Sequence, residues 1–248
     1  IDSIYYFRNV AQVEKSKSKN LKLLVKTKAI VISSLKYQEK SLIVKCFTQS
    51  HGLKTYFVRD AFSSRKSNQK IAYFQPLTIL EIEAVHKNKG TLENFKEIKI
   101  ATPFQSIHSD IFKSTMVMFI SEILHHSIHE EEKNERLFAF LETALHWLDN
   151  HNQIANFHLI LMLEITKYLG FYPDISEIDF PFFDTNEGIF TPVHGLGSLT
   201  EHETNLFKKL INLKFENDQK IFHVIERQIL LKILIDYYTF HLDGFRKP

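Results

Sequence analysis

Hydrophobic and polar positions follow two different rhythms along this chain. Between residues 23 and 100 the apolar residues come in short, β-branched runs: LLVKTKAIVISS at 23–34, SLIVKCFT at 41–48 and LKTYFVR at 53–59. Two further runs follow, PLTILEIEAVH at 76–86 and TLENFKEIKI at 91–100. Such runs, broken by polar or glycine-bearing links, predict β-strands. Gly52, in the link Gln49-Ser-His-Gly52, supplies the positive φ of a tight hairpin. Asn88-Lys-Gly90 predicts another turn, and the polar stretch 60–73 a loop. Five short strands in about 80 residues, bent by glycine and loops, predict a small barrel of the oligonucleotide/oligosaccharide-binding (OB) type.

After Thr102-Pro103 the period lengthens to that of helices. Ile111, Phe112, Met116, Phe119, Ile120, Ile123, Leu124 and Ile128 place one helix within 107–129. Leu137, Phe138, Leu141, Ala144, Leu145 and Leu148 place a second at 134–150, and a third covers 153–169. Gly170 with Pro173 just beyond is a helix stop. Residues 171–198 read as irregular, with Phe180, Phe182, Phe183 and Phe190 as a packing anchor. Thr200-Glu-His-Glu203 has the spacing of a capping box and opens a helix at 200–213. A last helix is predicted from about 221 to 242. The expected architecture is α+β and multidomain. Residues 1–20 form a polar extension or linker, 21–102 a five-stranded OB-type barrel, and 103–248 an all-α domain with an irregular, cysteine-free insertion near 171–198.

Charge changes this picture more than composition does. Residues 1–101 hold 19 Lys and Arg against 8 Asp and Glu, an excess of +11, while the other 147 residues hold 12 against 21, or −9. The whole-chain balance of +2 conceals this split. A basic β module points to a polyanion, above all nucleic acid, because Lys and Arg replace its condensed counterions. Arg59, Arg65, Lys66 and Lys70 surround the polar loop, and Lys26, Lys28, Lys45 and Lys54 lie on predicted strands with outward-facing side chains. These eight are the candidate DNA contacts. Tyr56 and Phe57 fall on opposite faces of one strand, so one is a core residue and the other is free to stack on a base.

Catalytic and metal chemistry find little support. The lone Cys46 excludes an intramolecular disulfide and any multi-cysteine zinc site. His125 and His129 have a chelating i, i+4 spacing, but no glutamate lies between them, and a helix end is the better reading. Glu130-Glu-Glu132 reads as a solvated turn, and His194-Gly-Leu-Gly197 lacks the strand-to-helix setting of a phosphate cradle. Residues 22–70 carry only Glu39 and Asp60, too few carboxylates for a nuclease centre. No enzymatic activity, cofactor or metal is expected. No apolar run reaches the roughly 20 residues of a membrane helix, and no signal peptide opens the chain, so a cytoplasmic protein is expected.

Several of these residues carry a resemblance. Lys26-Thr-Lys-Ala-Ile-Val-Ile32, Tyr37-Gln-Glu-Lys-Ser-Leu-Ile-Val44 and Phe47-Thr-Gln-Ser-His-Gly-Leu53 resemble the N-terminal barrel of the RecO family of recombination mediators. Glu122-Ile-Leu124, Leu137-Phe138 and Leu169-Gly-Phe-Tyr-Pro173 match its helical domain in order. The likeness spans about residues 24–245. It implies a non-enzymatic, nucleoid-associated bacterial protein of DNA repair and homologous recombination. Such a protein binds single- and double-stranded DNA, anneals complementary strands, and works with RecR to load RecA onto DNA covered by single-strand-binding protein (SSB). Many relatives carry a four-cysteine zinc module after the Leu-Gly-Tyr-x-Pro segment; residues 174–197 contain no Cys, so that metal is not carried over. The resemblance also implies capture of the acidic SSB tail by the helical domain, with Lys133 and Arg136 beside Leu137 and Phe138 as the expected site. Other classes that could use the same barrel are an RNA-binding factor and a protein-interaction scaffold.

Overall fold

The computed structural model describes residues 23–62, 71–86, 92–129, 133–216 and 221–248. The N-terminal extension, the turns expected at 88–90 and 130–132, and the loop positions Arg65, Lys66 and Lys70 lie outside these residues. Five strands form one antiparallel sheet: β1 (Leu23–Tyr37), β2 (Ser41–Thr48), β3 (Gly52–Val58), β4 (Ile79–His86) and β5 (Asn94–Ile100). Their order is β3-β2-β1-β4-β5. The edge strands β3 and β5 meet at a bridge between Tyr56 and Glu93. There Phe57 N–H donates to the Glu93 carbonyl at 2.9 Å, and Glu93 N–H donates to that of Thr55 at 2.8 Å. The sheet thus curls until its edges touch, as the OB-type pattern predicts.

Alternation sorts the strand residues onto two faces. Ala29, Val31, Val44, Cys46, Tyr56, Leu80 and Ile82 point inside and form the barrel core, with Tyr56 stacked on Phe95 at 4.1 Å. Ile30, Phe47, Leu53 and Ile79 point outside, yet they are buried, because they share a second core with the helices. β4 begins at Ile79 rather than at residue 76. Leu77 adopts a φ of 59°, a left-handed conformation that interrupts extended backbone just after Pro76.

Among the described residues five helices follow: α1 (Ile111–Ser127), α2 (Glu135–Asn150), α3 (Phe157–Leu169), α4 (Glu201–Ile211) and α5 (Val224–His241). α3 is apolar on nearly every side, and it is the central helix, touching all four others. α1 starts at Ile111 because the Asp110 carboxylate accepts from the N–H groups of Phe112 and Lys113. The residues before it are latched elsewhere. Asp149, at the end of α2, accepts from the N–H groups of Gln105, Ser106 and Ile107 at 2.8–3.1 Å. Burial alone would raise the pKa of Asp149, but these donors hold it below the usual carboxylate value. Lys113 is buried beside it and donates to Ser106 Oγ at 2.7 Å and to the Asp149 carbonyl at 2.9 Å.

The insertion departs from expectation. A small hairpin, β6 (Phe182–Asp184) with β7 (Ile189–Thr191), stands where the sequence reads as irregular. Its strands are too short to show alternation. Phe183 and Phe190 are buried and pack on each other and on Phe207 of α4, with ring centroids 4.8–4.9 Å apart. Of the expected aromatic anchor, Phe183 and Phe190 are in the core and Phe180 packs at its margin, whereas Phe182 stands outside it, edge-on to His194 at 5.2 Å. Thr200 and Glu203 close the expected capping box, and Gly170 ends α3 with a φ of 85°.

Candidate nucleic-acid interface

The outer face of β1–β3 follows from pairing register. Hairpin β1–β2 turns at Gln38, with a φ of 53°, and hairpin β2–β3 turns at Gly52, with a φ of 62°. Thr48 Oγ1 donates to the Gly52 carbonyl at 2.8 Å and accepts from His51 N–H, which fixes the second turn. A bulge between Val31 and Ser33 inserts one residue into β1. Before it, even-numbered residues of β1 point outward; after it, odd-numbered ones do. Three outward rows result: Ser33–Lys45–Thr55, Leu35–Ile43–Phe57, and Tyr37–Ser41 with Arg59 just past the end of β3.

The helices cover only part of this face. Ser121 Oγ of α1 donates to the Ile32 carbonyl, and Phe47 lies 6.0 Å from Phe138 of α2 between ring centroids. Beyond Lys45 the face is open. Leu35 is 67% exposed and Tyr37 42%, while Phe57 is half-buried and meets Tyr37 edge-on at 6.1 Å. Phe57 belongs to neither core. Of the two aromatics considered from sequence, Tyr56 is the core residue and Phe57 the outward one.

The candidate cations separate into groups. Lys26 is exposed and pairs with Glu83 at 3.2 Å; Lys28 pairs with Glu142 of α2 at 2.7 Å. Both sit on the β4 side, in a groove of about 310 Å³ that also holds Glu81, Glu97 and Lys99. Lys45 is half-buried at the border with α1, where burial lowers its pKa and its charge adds to the burial that lowers that of His125. Arg59 is exposed and lines a cleft of about 450 Å³ with Phe57, Tyr73, Phe95 and Lys96. Lys54 corrects an expectation. It pairs across from Cys46 and so lies on the interior-facing side, near His51 and His86, whose pKa values its charge helps to lower after burial. The one-residue parity of β3 decides this: Leu53, Thr55 and Phe57 are the outward set.

The expected peptide site is also corrected in part. Lys133 and Arg136 are exposed, and Lys133 sits 3.2 Å from Glu135. Leu137 and Phe138, however, are 1% and 0% exposed, because that face of α2 packs into the shared core. They offer no slot to a peptide. A different feature of the helical domain was not read from sequence. A groove of about 1360 Å³ runs between α1, the start of α3 and α5, lined by Phe112, Met116, Phe119, Trp147, Phe157 and Phe215, with Arg227 beside it. One wall is the α1 stretch that begins with the exposed Ile111, at 71%, and Phe112, at 74%; the other walls come from distant segments.

His125 and His129 do not share the helical i, i+4 spacing expected of them. His129 lies beyond the end of α1, and among the described residues no three His, Cys, Asp or Glu side chains converge as a metal site. No helix among them is long and apolar enough to cross a membrane.

Two family models match nearly the whole described chain: "Recombination protein O N terminal" over residues 21–104 and "Recombination protein O C terminal" over residues 108–248. Among curated proteins, the "DNA repair protein RecO" of Flavobacterium psychrophilum is 79% identical over 225 residues, covering 90% of this chain and 94% of that protein. Proteins of the same name from Christiangramia forsetii and Phocaeicola vulgatus are 42% and 34% identical, covering 91% and 90% of this chain and 95% and 94% of their own lengths. With both halves matched and identities this high over nine-tenths of the chain, the chain belongs to the recombination protein O (RecO) family.

Proposed function

We propose that this protein is a DNA repair and recombination mediator that works by charge neutralisation rather than covalent chemistry. It binds single- and double-stranded DNA on the outer side of β1–β3, anneals complementary strands, and helps RecR load RecA onto SSB-coated DNA. The observation that carries this reading is the distribution of charge within the barrel. Segment 23–62 holds seven Lys and Arg against Glu39 and Asp60, whereas segment 71–100 holds four Lys and four Glu. The basic excess belongs to β1–β3 and their turns even with Lys26 and Lys28 set aside; these two, like Lys96 and Lys99 of β5, each stand within 4 Å of a carboxylate. Two strands held on one cationic surface repel each other less and meet at higher effective concentration. Names of relatives support the repair role, since those proteins are called DNA repair proteins.

The test is binding as a function of salt, followed by an annealing assay with complementary oligonucleotides, with and without SSB. Affinity should fall steeply with salt, with a slope of about 0.9 per neutralised phosphate on duplex. Replacing Arg59, Arg65, Lys66 and Lys70 together by Ala should flatten that slope and slow annealing without unfolding the barrel. An unchanged slope would place the DNA elsewhere.

For the SSB tail, the apolar groove between α1, α3 and α5 suits an acidic peptide with an apolar end better than the surface around Lys133 and Arg136. It offers aromatic walls and the Arg227 guanidinium, a natural carboxylate partner. A labelled tail peptide read by anisotropy separates the two placements. Arg227→Ala should weaken binding, and a Lys133→Ala/Arg136→Ala double variant should not.

A further inference from the structure

One face of the barrel is divided in a way that charge neutralisation does not explain. Its covered end, around Ile30, Phe47 and Leu53, packs under the helices. Its open end carries the row Leu35–Ile43–Phe57 with Tyr37 edge-on to Phe57. Phosphates need only cations, which are better placed on polar surface. An aliphatic and aromatic strip left in water, one residue pair wide, calls for a partner with apolar flat surfaces of its own. Phe57 is the clearest case, because it supports neither core. Same-face positions along a strand are about 7 Å apart. Lys45 and Arg59 therefore bracket the Ile43–Phe57 row at one step on either side. The cleft beside Phe57 adds Tyr73, and segment 23–62 is basic overall. Two aromatic rings beside an aliphatic row, bracketed by cations, match a chain of flat heterocycles joined by phosphates.

We infer that the open end of the β1–β3 face, centred on Phe57 and Tyr37, is a stacking platform for unpaired DNA bases, with Arg59 and Lys45 holding the flanking phosphates. The inference rests on the DNA-binding reading above and deepens it. In a duplex each base is already stacked above and below and paired at its edge, so only its backbone is available to the protein. An unpaired base offers its face, and stacking on an aromatic side chain is tolerant of sequence. The platform therefore makes the protein bind single strands by two kinds of contact and duplexes by one. Stacking is also insensitive to salt, so it raises single-strand affinity by the same factor at every salt concentration.

The experiment compares full-length wild type, Phe57→Ala and Phe57→Trp on a labelled oligothymidine and on a hairpin duplex over a range of salt. Phe57→Ala should weaken single-strand binding about 5- to 100-fold, within the range of one lost stacking contact, and leave duplex binding within about twofold. The salt slope should not change, because no phosphate contact is removed. Phe57→Trp should restore single-strand affinity, with its added indole fluorescence quenched by oligothymidine and not by the hairpin. It also shows that position 57 tolerates substitution without loss of fold.

Equal losses on both DNAs, or no loss on the single strand, would overturn the platform and leave the DNA reading standing. Absence of wild-type binding to either DNA would instead remove the DNA reading, and the platform with it. Unchanged DNA binding with weakened self-association of Phe57→Ala in sedimentation would assign the face to protein contact and also overturn the inference.

Discussion

The two ends of the outer β1–β3 face are written in the same residue types and meet opposite fates. At one end Phe47 and Leu53 disappear beneath α1 and α2; at the other Leu35, Ile43 and Phe57 stay at the surface. Alternation and β propensity treat them alike. What separates them is where two helices, distant in sequence, end their cover. An aromatic on a strand thus has no fixed meaning until the neighbouring layer is known. The covered end is structural, and the open end is the part available for binding.

The sharpest way to break this comparison is to truncate one aromatic at each end. Phe138→Ala removes a fully buried ring that meets Phe47 across the domain interface. It should cost about 3–5 kcal/mol by urea unfolding, the usual penalty of losing a buried Phe and leaving a cavity. Phe57→Ala should cost less than about 1 kcal/mol, since its ring is packed in neither core. Similar costs at the two positions would mean that the open end is a structural surface after all.

Local features of this kind were legible in the sequence where the cause was local. The capping box at Thr200 and Glu203, the stop at Gly170 and the hairpin at Gly52 each depend on a few adjacent residues, and each is found in the structure. The five strands and five helices follow from periodicity, and the OB-type sheet from their order. Other features depend on a single residue of register or on remote partners. The bulge after Val31 reverses which residues of β1 face outward, and nothing in VISS announces it. Lys54 was expected outward because lysine prefers water, yet its parity on β3 puts it opposite Cys46. Leu137 and Phe138 resemble a binding patch until the sheet is laid against them. The groove near Arg227 is assembled from four helices and two loops, so no short stretch of sequence could carry its signature.

A second prediction sharpens the contrast through pH. The open end of the face has no histidine, whereas the helical domain holds several that are half-buried. His158 lies on α3 in the wall of the apolar groove, and its Nδ1 has no partner among the described residues. Burial, and after it the nearby Arg227 charge, push its pKa down to about 4. The unfolded chain would bind that proton near pH 6.5. Because the folded pKa is the lower one, stability is complete above about pH 6.5 and declines as pH falls toward 4. Below that the folded state also takes the proton, and this contribution levels off. About 3 kcal/mol should be lost across the window, and His158→Gln should flatten that part of a pH series of urea melts. An undiminished slope in the variant would assign the acid sensitivity to other buried histidines.

The smallest expected effect lies at the boundary between the two halves. Lys28 sits on the outer side of β1, two residues from Lys26, and the sequence treats the two as equivalent DNA contacts. In the structure Lys26 is 78% exposed beside Glu83, while Lys28 reaches Glu142 on α2 at 2.7 Å, 114 residues away. The Lys28 pair is partly shielded, which limits screening by salt, but both side chains still meet water. A double-mutant cycle with Lys28→Ala and Glu142→Ala should therefore give a coupling of about 0.5–1 kcal/mol in stability. The same cycle on Lys26 and Glu83 should give less, because that lysine is more mobile and better hydrated. DNA binding gives the complementary readout. Loss of Lys26 should lower affinity slightly if its exposed charge adds to the field of the barrel. Loss of Lys28 should lower it less, since Glu142 already offsets its charge. A reversal, with Lys28 weighing on DNA and uncoupled from Glu142, would mean that the ion pair opens when DNA arrives and that the covered end of the face is not fixed.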